Sequence, residues 1–244
     1  LPAGSEQQLQ ANAFDACGNP RQDAIRWSTS SGTIGADTGL LTAGCVRGFY
    51  PAAVFAQAGT QVGQIDLDVT DGVLQRIEIN PSPVSILAGA QRQLTAQLYD
   101  GCNNLIEQEP TWRSTEGGSL TPTGLLTASE SARTYFGAVI AELGGVQASA
   151  DLVVTPAAAS ILEVTPNPFV VAAGSVINLE VTAFDEFGND FTPEVNWTVS
   201  PNAGSIDDDN QFTAGQVVGT YTDGLIARVG SAELAIDVEI TAGA

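Results

Sequence analysis

Apolar and polar residues alternate along much of this chain. Residues 177–183 read Ile-Asn-Leu-Glu-Val-Thr-Ala, and residues 234–241 show the same alternation. A period of two places successive side chains on opposite faces of a strand, so each segment predicts a half-buried β-strand. Gly, Pro, Asn and Asp interrupt the apolar runs about every 8 to 12 residues, which is the spacing typical of a β-sandwich. No stretch has helical spacing over more than about two turns, so the chain is predicted to be all-β.

The same pattern occurs three times along the chain. Trp27, Trp112 and Trp197 follow one another at intervals of 85 residues. This step also relates three further sets of residues: Phe14-Asp15, Tyr99-Asp100 and Phe184-Asp185; Asn19, Asn104 and Asn189; and the Gly-Leu-Leu-Thr-Ala segments that begin at Gly39 and Gly124. In the third copy the last of these segments is replaced by residues 211–214 and is shifted by one residue. A fixed step of this length predicts one structural unit for each copy.

The order of features within each copy resembles the bacterial immunoglobulin-like domains that are strung together in adhesins of the invasin and intimin type. An opening strand ends in proline, an Ala-Gly turn follows, and an alternating strand then closes on Asp-x-x-Gly-Asn. A tryptophan strand and the Gly-Leu-Leu-Thr-Ala segment come next. The middle copy departs at Asn103, where the others have Gly18 and Gly188. The resemblance covers the whole chain and implies immunoglobulin-like β-sandwich modules at a cell surface.

The connections between the copies are short. We place the boundaries near Gly72 and Pro156, which gives three modules of residues 1–72, 73–156 and 157–244. Short connections favour a semi-rigid rod over a flexible string. The predicted architecture is therefore three tandem immunoglobulin-like β-sandwich modules in an extended rod.

The repeated tryptophans, Trp27, Trp112 and Trp197, have two interpretations. Exposed tryptophans could be platforms for a sugar ligand, whereas buried ones would fill the centre of each sandwich. An apolar or ring residue lies two positions before each of them, on the same face of the predicted strand. This favours the interpretation that all three are core residues.

The negative charge of the chain disfavours two classes of partner. There are 28 acidic residues against 8 basic ones, and the net charge is −20. Nucleic acid is a poor partner because phosphate binding needs clustered Lys and Arg, and an anionic membrane surface would repel the chain. No apolar run approaches the roughly 20 residues that cross a bilayer, so we expect no direct membrane insertion. An extracellular or cell-surface location fits these features.

Composition also argues against catalysis. The chain has no histidine, so neither a Ser–His nor a Cys–His pair can form, and zinc lacks its usual ligands. A glycosidase would need two carboxylates about 5 to 10 Å apart in an open cleft. No unrepeated insertion supplies the wall of such a cleft. We therefore predict that the chain is not an enzyme and has no cofactor. A structural calcium ion is the one exception, because the acidic loops could bind it.

Two acidic loops in the third copy are candidates for that ion. Their carboxylates are Asp185, Glu186, Asp190, Asp207 and Asp209. Calcium takes six to eight oxygen ligands, so the two loops would have to converge. The alternative needs no metal, because an Asp side chain can tie a tight turn between two strands through backbone hydrogen bonds.

The three cysteines are predicted to include one bridge between modules. Cys17 and Cys102 occupy the same repeat position, whereas Cys45 has no counterpart in the other copies. We expect Cys17 and Cys45 at opposite poles of one sandwich, beyond the roughly 7 Å between Cα atoms that a disulfide permits. In a head-to-tail array the poles of successive modules meet, which favours a Cys45–Cys102 bridge. A Cys17–Cys45 bridge is the alternative, and three free thiols would argue against an oxidising exterior.

The first copy begins later in the repeat than the others. Leu1 aligns with Ile86, so the first copy has no counterpart of residues 74–85, which form most of an opening strand. One interpretation is that the sequence is part of a longer array. The other is that a neighbouring chain supplies the strand, which would complete the sheet and link chains into a filament. In that case removal of residues from Leu1 to Leu9 should abolish assembly.

The function predicted from the sequence is structural. The chain would be a non-catalytic stalk or adhesin segment, or a subunit of a surface filament, with other copies of itself or surface proteins and glycans as partners. The alternative is a set of modules that bind a glycan or a protein within a larger secreted enzyme or adhesin. Clustered exposed aromatic residues would favour glycan binding, whereas large contacts between chains would favour the filament.

Overall fold

The structure is a computed structural model that describes residues 1–167 and 169–243. Throughout these residues the regular elements are β-strands, as the alternating pattern predicted, and no helix of the length and apolar character needed to cross a membrane is found there. The strands are named in chain order, and equivalent strands recur in the three copies of the repeat.

The first copy contains β1 (Glu6–Gln8), β2 (Ala13–Phe14), β3 (Pro20–Arg21), β4 (Arg26–Thr29), β5 (Thr33–Ile34), β6 (Leu40–Thr42), β7 (Gly48–Ala58) and β8 (Gln61–Val69). The second contains β9 (Leu74–Asn80), β10 (Val84–Leu87), β11 (Gln91–Gln93), β12 (Thr95–Asp100), β13 (Leu105–Ile106), β14 (Thr111–Ser114), β15 (Gly118–Leu120), β16 (Leu125–Ala128), β17 (Thr134–Leu143) and β18 (Val146–Thr155). The third contains β19 (Ala159–Thr165), β20 (Phe169–Ala172), β21 (Val176–Asn178), β22 (Glu180–Asp185), β23 (Asp190–Phe191), β24 (Asn196–Val199), β25 (Gly204–Ile206), β26 (Gln211–Ala214), β27 (Gly219–Val229) and β28 (Ala232–Thr241).

The second and third copies share one sheet topology. In the second copy the sheets have the strand orders β13-β12-β9, β10-β18-β17-β14 and β11-β16-β15. In the third copy the corresponding orders are β19-β22-β23, β20-β28-β27-β24 and β21-β26-β25. In both of these copies the opening strand is split between two sheets. In the second copy β9 pairs antiparallel with β12 and β10 pairs parallel with β18, and in the third copy β19 pairs antiparallel with β22 and β20 pairs parallel with β28. Sheets in this order around an apolar centre make an immunoglobulin-like β-sandwich.

A repeated tyrosine contact also belongs to this fold. In each copy a tyrosine hydroxyl donates a hydrogen bond to the carbonyl oxygen four residues earlier: Tyr50 to Val46 (2.9 Å), Tyr135 to Ser131 (3.0 Å) and Tyr221 to Val217 (2.9 Å). The contact fixes the first residues of β7, β17 and β27 to the preceding loop. An equivalent tyrosine corner is a hallmark of immunoglobulin domains.

Each copy surrounds its own cluster of buried apolar side chains. The cluster of the second copy includes Trp112, which is 3% exposed. In the third copy the rings of Phe169 and Phe212 meet edge to face with their centroids 5.1 Å apart, and Trp197 packs against this cluster while partly exposed. The cluster of the first copy is the smallest, and Trp27 packs against it. All three tryptophans therefore lie against a core.

The first copy has a shorter sheet at one edge. Its strands β2 and β3 form a two-stranded sheet, and no counterpart of β9 lies beside them in the described part of the chain. Pro2 forms a single parallel bridge with Thr70, at the position where Leu87 pairs with Thr155 in the second copy. The first three residues therefore take the place of the end of β10.

Candidate functional site: the joints between repeats

A buried carboxylate organises the joint between the second and third copies. Oδ1 of Asp185 accepts hydrogen bonds from the backbone N–H groups of Phe187 and Asn189, each at 2.9 Å. Oδ2 accepts one from Asn189 Nδ2 at 2.7 Å and one from the backbone N–H of Ala157 at 2.8 Å. Because Ala157 lies in the connection between the copies, one carboxylate fixes both the turn and the incoming chain.

The joint between the first and second copies is built in the same way. Oδ1 of Asp100 accepts hydrogen bonds from the backbone N–H groups of Cys102 (2.9 Å) and Asn104 (2.8 Å). Oδ2 accepts from Asn104 Nδ2 at 2.9 Å and from the backbone N–H of Gly72 at 2.8 Å. Asp100 and Asp185 are each only 2% exposed, and they are the only buried charged side chains among the described residues.

The asparagine of each turn also reaches the preceding copy. Asn104 Nδ2 donates to the carbonyl oxygen of Cys45 at 2.9 Å. Asn189 Nδ2 donates to the carbonyl oxygen of Glu130 at 2.7 Å, and its Oδ1 accepts from the backbone N–H of Ala132 at 2.8 Å. These polar contacts fix the loop of one copy against the turn of the next.

A disulfide crosses the first joint. Cys45 and Cys102 are bonded, with their Cα atoms 5.3 Å apart. This is the pairing favoured by the sequence, and the alternative Cys17–Cys45 bridge does not form. Cys17 is a free, exposed thiol.

A phenylalanine replaces the disulfide at the second joint. A Cβ added to Gly4 would lie 3.3 Å from Sγ of Cys102, and one added to Gly89 would lie 2.7 Å from the ring of Phe187. Gly4 and Gly89 differ by the 85-residue step, as do Cys102 and Phe187. The same contact is therefore made by sulfur at one joint and by an aromatic ring at the other.

The buried carboxylates have shifted acidities. Burial by itself would raise the pKa of Asp100, but the hydrogen bonds from Asn104, Gly72 and Cys102 together outweigh it and hold the pKa below its usual value. The pKa of Asp185 is lowered by the same balance, with Asn189 and Ala157 as its principal donors. At neutral pH both joints are therefore held by ionised carboxylates.

The acidic residues considered for calcium take different positions. Asp185 is committed to the joint, and Glu186 and Asp190 are exposed beside it. Oδ1 of Asp207 accepts hydrogen bonds from the backbone N–H groups of Asp209 (3.1 Å) and Gln211 (2.9 Å), so it ties its own turn. In the described ranges, no three His, Cys, Asp or Glu side chains are grouped so that they could hold a metal ion.

The residues proposed for assembly lie within the first copy. Leu1 and Leu9 pack against its apolar cluster. The amino group of Leu1 donates to the carbonyl oxygen of Asp68, and the backbone N–H of Leu9 donates to Gly39 at 3.0 Å. Both residues therefore stabilise the copy that carries them, whatever else they contact.

A second repeated carboxylate was not predicted from the sequence. In each copy an Asp side chain accepts a hydrogen bond from a backbone N–H in the bulge of the preceding strand: Ala52 to Asp66 (2.8 Å), Gly137 to Asp151 (2.7 Å) and Asp223 to Asp237 (2.9 Å). The three bulge residues have positive φ angles. The spacing of these aspartates, 85 and then 86 residues, is the signal that could have found them.

Comparison with solved structures shows the same kind of fold, whereas no protein-family model and no curated protein sequence matches the chain. A structure of FdeC, an Escherichia coli adhesin, matches 95% of this chain and 87% of its own, with a TM-score of 0.52 and 15% identity. The bacterial integrin-binding protein invasin matches 97% of this chain and 56% of its own, with a TM-score of 0.47 and 17% identity. Domains 1–6 of the surface layer protein SbsC match the whole chain at 20% identity with a TM-score of 0.35.

These similarities are structural. The chain spans 39% of the length of the SbsC chain that it matches. The FdeC match, at 15% identity and a TM-score of 0.52, shows a shared fold and no more. The chain is thus an all-β protein with the immunoglobulin-like fold seen in bacterial surface adhesins.

Proposed function

We propose that the chain is a non-catalytic extracellular structural protein, in which three immunoglobulin-like modules form a rod that serves as a stalk or adhesin segment or as the subunit of a surface filament. The observation that supports this best is the repetition of one joint at both junctions. Gly72 and Ala157, which donate to the joint carboxylates, lie next to the boundaries that we propose between modules 1–72, 73–156 and 157–244. Modules that were merely tethered would not need such joints.

Three features support an extracellular location. The Cys45–Cys102 disulfide suits an oxidising compartment. The net charge of −20 disfavours nucleic acid as a partner and suits a saline exterior. The fold is shared with the E. coli adhesin FdeC.

A structural role also accounts for the buried carboxylates. Asp100 and Asp185 are the acidic groups that a reaction centre would most readily use, yet all four hydrogen bonds of each hold a turn and a connection. The filament form draws support from the short β2–β3 sheet of the first copy, because a strand from a neighbouring chain could extend it.

Negative-stain electron microscopy of the purified chain tests the proposal. The longest strands have about ten residues, which at about 3.3 Å per residue gives modules near 33 Å and a rod of about 100 Å. We expect straight particles of this length, alone or joined end to end. An Asn189→Ala variant should bend at the second joint, because it loses both contacts to the second copy. Wild-type particles that bend freely at both junctions would contradict the proposal.

A further inference from the structure

An open groove runs along the edge of the first copy where its sheet is short. It has a volume of about 600 Å³ and lies between residues 11–14 on one side and residues 56–63 on the other. Arg21 and Asp23 also line it, and these two side chains form an ion pair at 2.6 Å. Because the two charges neutralise each other, the groove does not demand a charged occupant.

Core-facing positions are exposed along this edge. Ile65 is 53% exposed, whereas its counterparts Ala150 and Ile236 are 4% and 5% exposed. A weaker contrast holds at two other positions: Ala13 is only partly buried whereas Leu98 and Ala183 are buried, and Ala56 is only partly buried whereas Ala141 and Ala227 are buried. The first copy therefore presents to solvent a strip of surface that is covered in the other two.

The other copies show what covers this surface. In the second copy β9 pairs antiparallel with β12, with Ile77 opposite Leu98 and Ile79 opposite Ala96. Ile77 and Ile79 are 6% and 8% exposed. In the third copy β19 occupies the same place and buries the apolar side chains Leu162 and Val164. Two sequences of different composition thus fill equivalent grooves with alternate apolar side chains.

We propose that the groove of the first copy is the acceptor for an extended strand with the chemistry of β9. The strand lies antiparallel to residues 11–14 and places two apolar side chains, in the positions of Ile77 and Ile79, opposite Ala13 and Ala11. This inference deepens the proposed structural function, on which it rests, by naming the acceptor site and the class of its occupant. The added strand gives the β2 edge a backbone partner and covers Ile65.

Two further groups on the first copy, the ring of Phe14 and the carboxylate of Asp15, are placed to contact such a strand. Phe14 is 58% exposed, and at its counterpart Tyr99 the guanidinium of Arg76 from β9 lies 4.4 Å from the ring centroid. A long side chain at the Arg76 position of the incoming strand covers Phe14 in the same way.

The carboxylate of Asp15 supplies the second group. Its Oδ2 accepts a hydrogen bond from Asn19 Nδ2, as Oδ2 of Asp100 does from Asn104, but the second donor that Asp100 has in Gly72 has no counterpart among the described residues. In the second copy Gly72 lies two residues before Leu74, the first residue of β9. The residue at the same place in the incoming strand donates its backbone N–H to Oδ2 of Asp15.

The probe is a synthetic peptide with the sequence of residues 71–81, acetylated and labelled with a fluorophore, and it is titrated into the full chain. Fluorescence anisotropy should show saturable binding of one peptide per chain. Ala13→Glu, which places a charge opposite the Ile77 position, should weaken binding at least tenfold. Ser28→Glu, at an exposed position of β4 that does not line the groove, is the matched control and should bind like the wild type. A peptide with Ile77→Asp and Ile79→Asp should not bind.

Hydrogen exchange of the same complex locates the peptide, and it also shows whether the Ala13→Glu variant is folded. Protection should appear at residues 10–14 and 61–66. Three results would overturn the inference. The peptide could fail to bind, it could displace β9 and protect β12 instead, or it could bind a folded Ala13→Glu chain as tightly as the wild type. None of these outcomes alters the shape of the isolated rod, so failure of the acceptor site is distinguishable from failure of the proposed function.

Discussion

Substitution of Asp185 by alanine is expected to loosen the joint between the second and third copies. The side chain is 2% exposed and its two oxygens accept four hydrogen bonds, one of them from the connecting residue Ala157. Alanine removes all four acceptors and leaves their donors in place. Asp15 is the matched control because it makes the same turn contacts without a connecting residue and is exposed.

The size of the effect follows from the number of donors left without a partner. A hydrogen bond to a charged group contributes about 1.5 to 3 kcal/mol, and the loss is smaller where water can reach the freed donor. All four hydrogen bonds are partly buried, so water can reach the freed donors only in part. We therefore expect Asp185→Ala to lower the free energy of unfolding of the third copy by about 3 kcal/mol, and Asp15→Ala to cost the first copy less.

Urea denaturation measures this difference. In a background with Trp27→Phe and Trp112→Phe, the remaining Trp197 reports the third copy, where it packs against the apolar cluster. Asp185→Ala should move the midpoint of its transition to lower urea without a change of slope. For Asp15 the reporter is Trp27 in the corresponding background. A loss at Asp185 below about 1 kcal/mol, or one no larger than that at Asp15, would refute the claim that the carboxylate holds the joint.

Four other results are expected. Because the folded-state pKa values of Asp100 and Asp185 are lowered, the stability from these carboxylates is present above their unfolded pKa, near 3.8, and is lost as pH falls through the lower folded values. In thermal melts from pH 7 to pH 2 the melting temperature should therefore fall more steeply with pH below about pH 4. Asp185→Asn should make that fall shallower. Cys45→Ser opens a bridge across a sequence separation of 57 residues and should cost about 4 kcal/mol in urea denaturation, whereas an unchanged midpoint would contradict the chain-entropy argument. Glu130→Cys combined with Phe187→Cys should form a second disulfide, because these positions are one repeat step from the existing pair; mass spectrometry that finds both thiols free would show that the two joints differ in geometry. Without denaturant, iodoacetamide should label Cys17 alone, and labelling of Cys45 would show that the bridge is absent.

Much of the fold could be predicted from the sequence because its signals are local or periodic. The alternation in residues 177–183 depends only on which face of a strand is buried, and the structure places strands β21 and β22 there. The Cys45–Cys102 pairing could be favoured over Cys17–Cys45 because the two poles of a sandwich are separated by the length of its strands. Topology and the direction of the array are enough to decide between the two pairings.

Features that depend on contacts between distant segments were harder to foresee. Phe187 occupies the repeat position of Cys17 and Cys102, but its contact with Gly89 becomes visible only when the copies lie end to end. The same holds for the acidic residues near Asp185. The sequence shows which carboxylates are neighbours along the chain, but it does not show which hydrogen-bond donors they face. The open groove of the first copy was expected as a missing strand, whereas its walls and the exposed Ile65 required the folded chain.

Small-angle X-ray scattering of the wild-type chain tests the rod most directly. A compact globule of 244 residues would have a radius of gyration of about 18 Å. A rod about 100 Å long, built from modules near 33 Å, would have one of about 30 Å. We expect about 30 Å with the scattering of a stiff rod, and a shift toward that of a flexible chain in the variant that combines Cys45→Ser with Asp185→Ala. A value near 18 Å, or wild-type scattering already that of a flexible chain, would contradict the account.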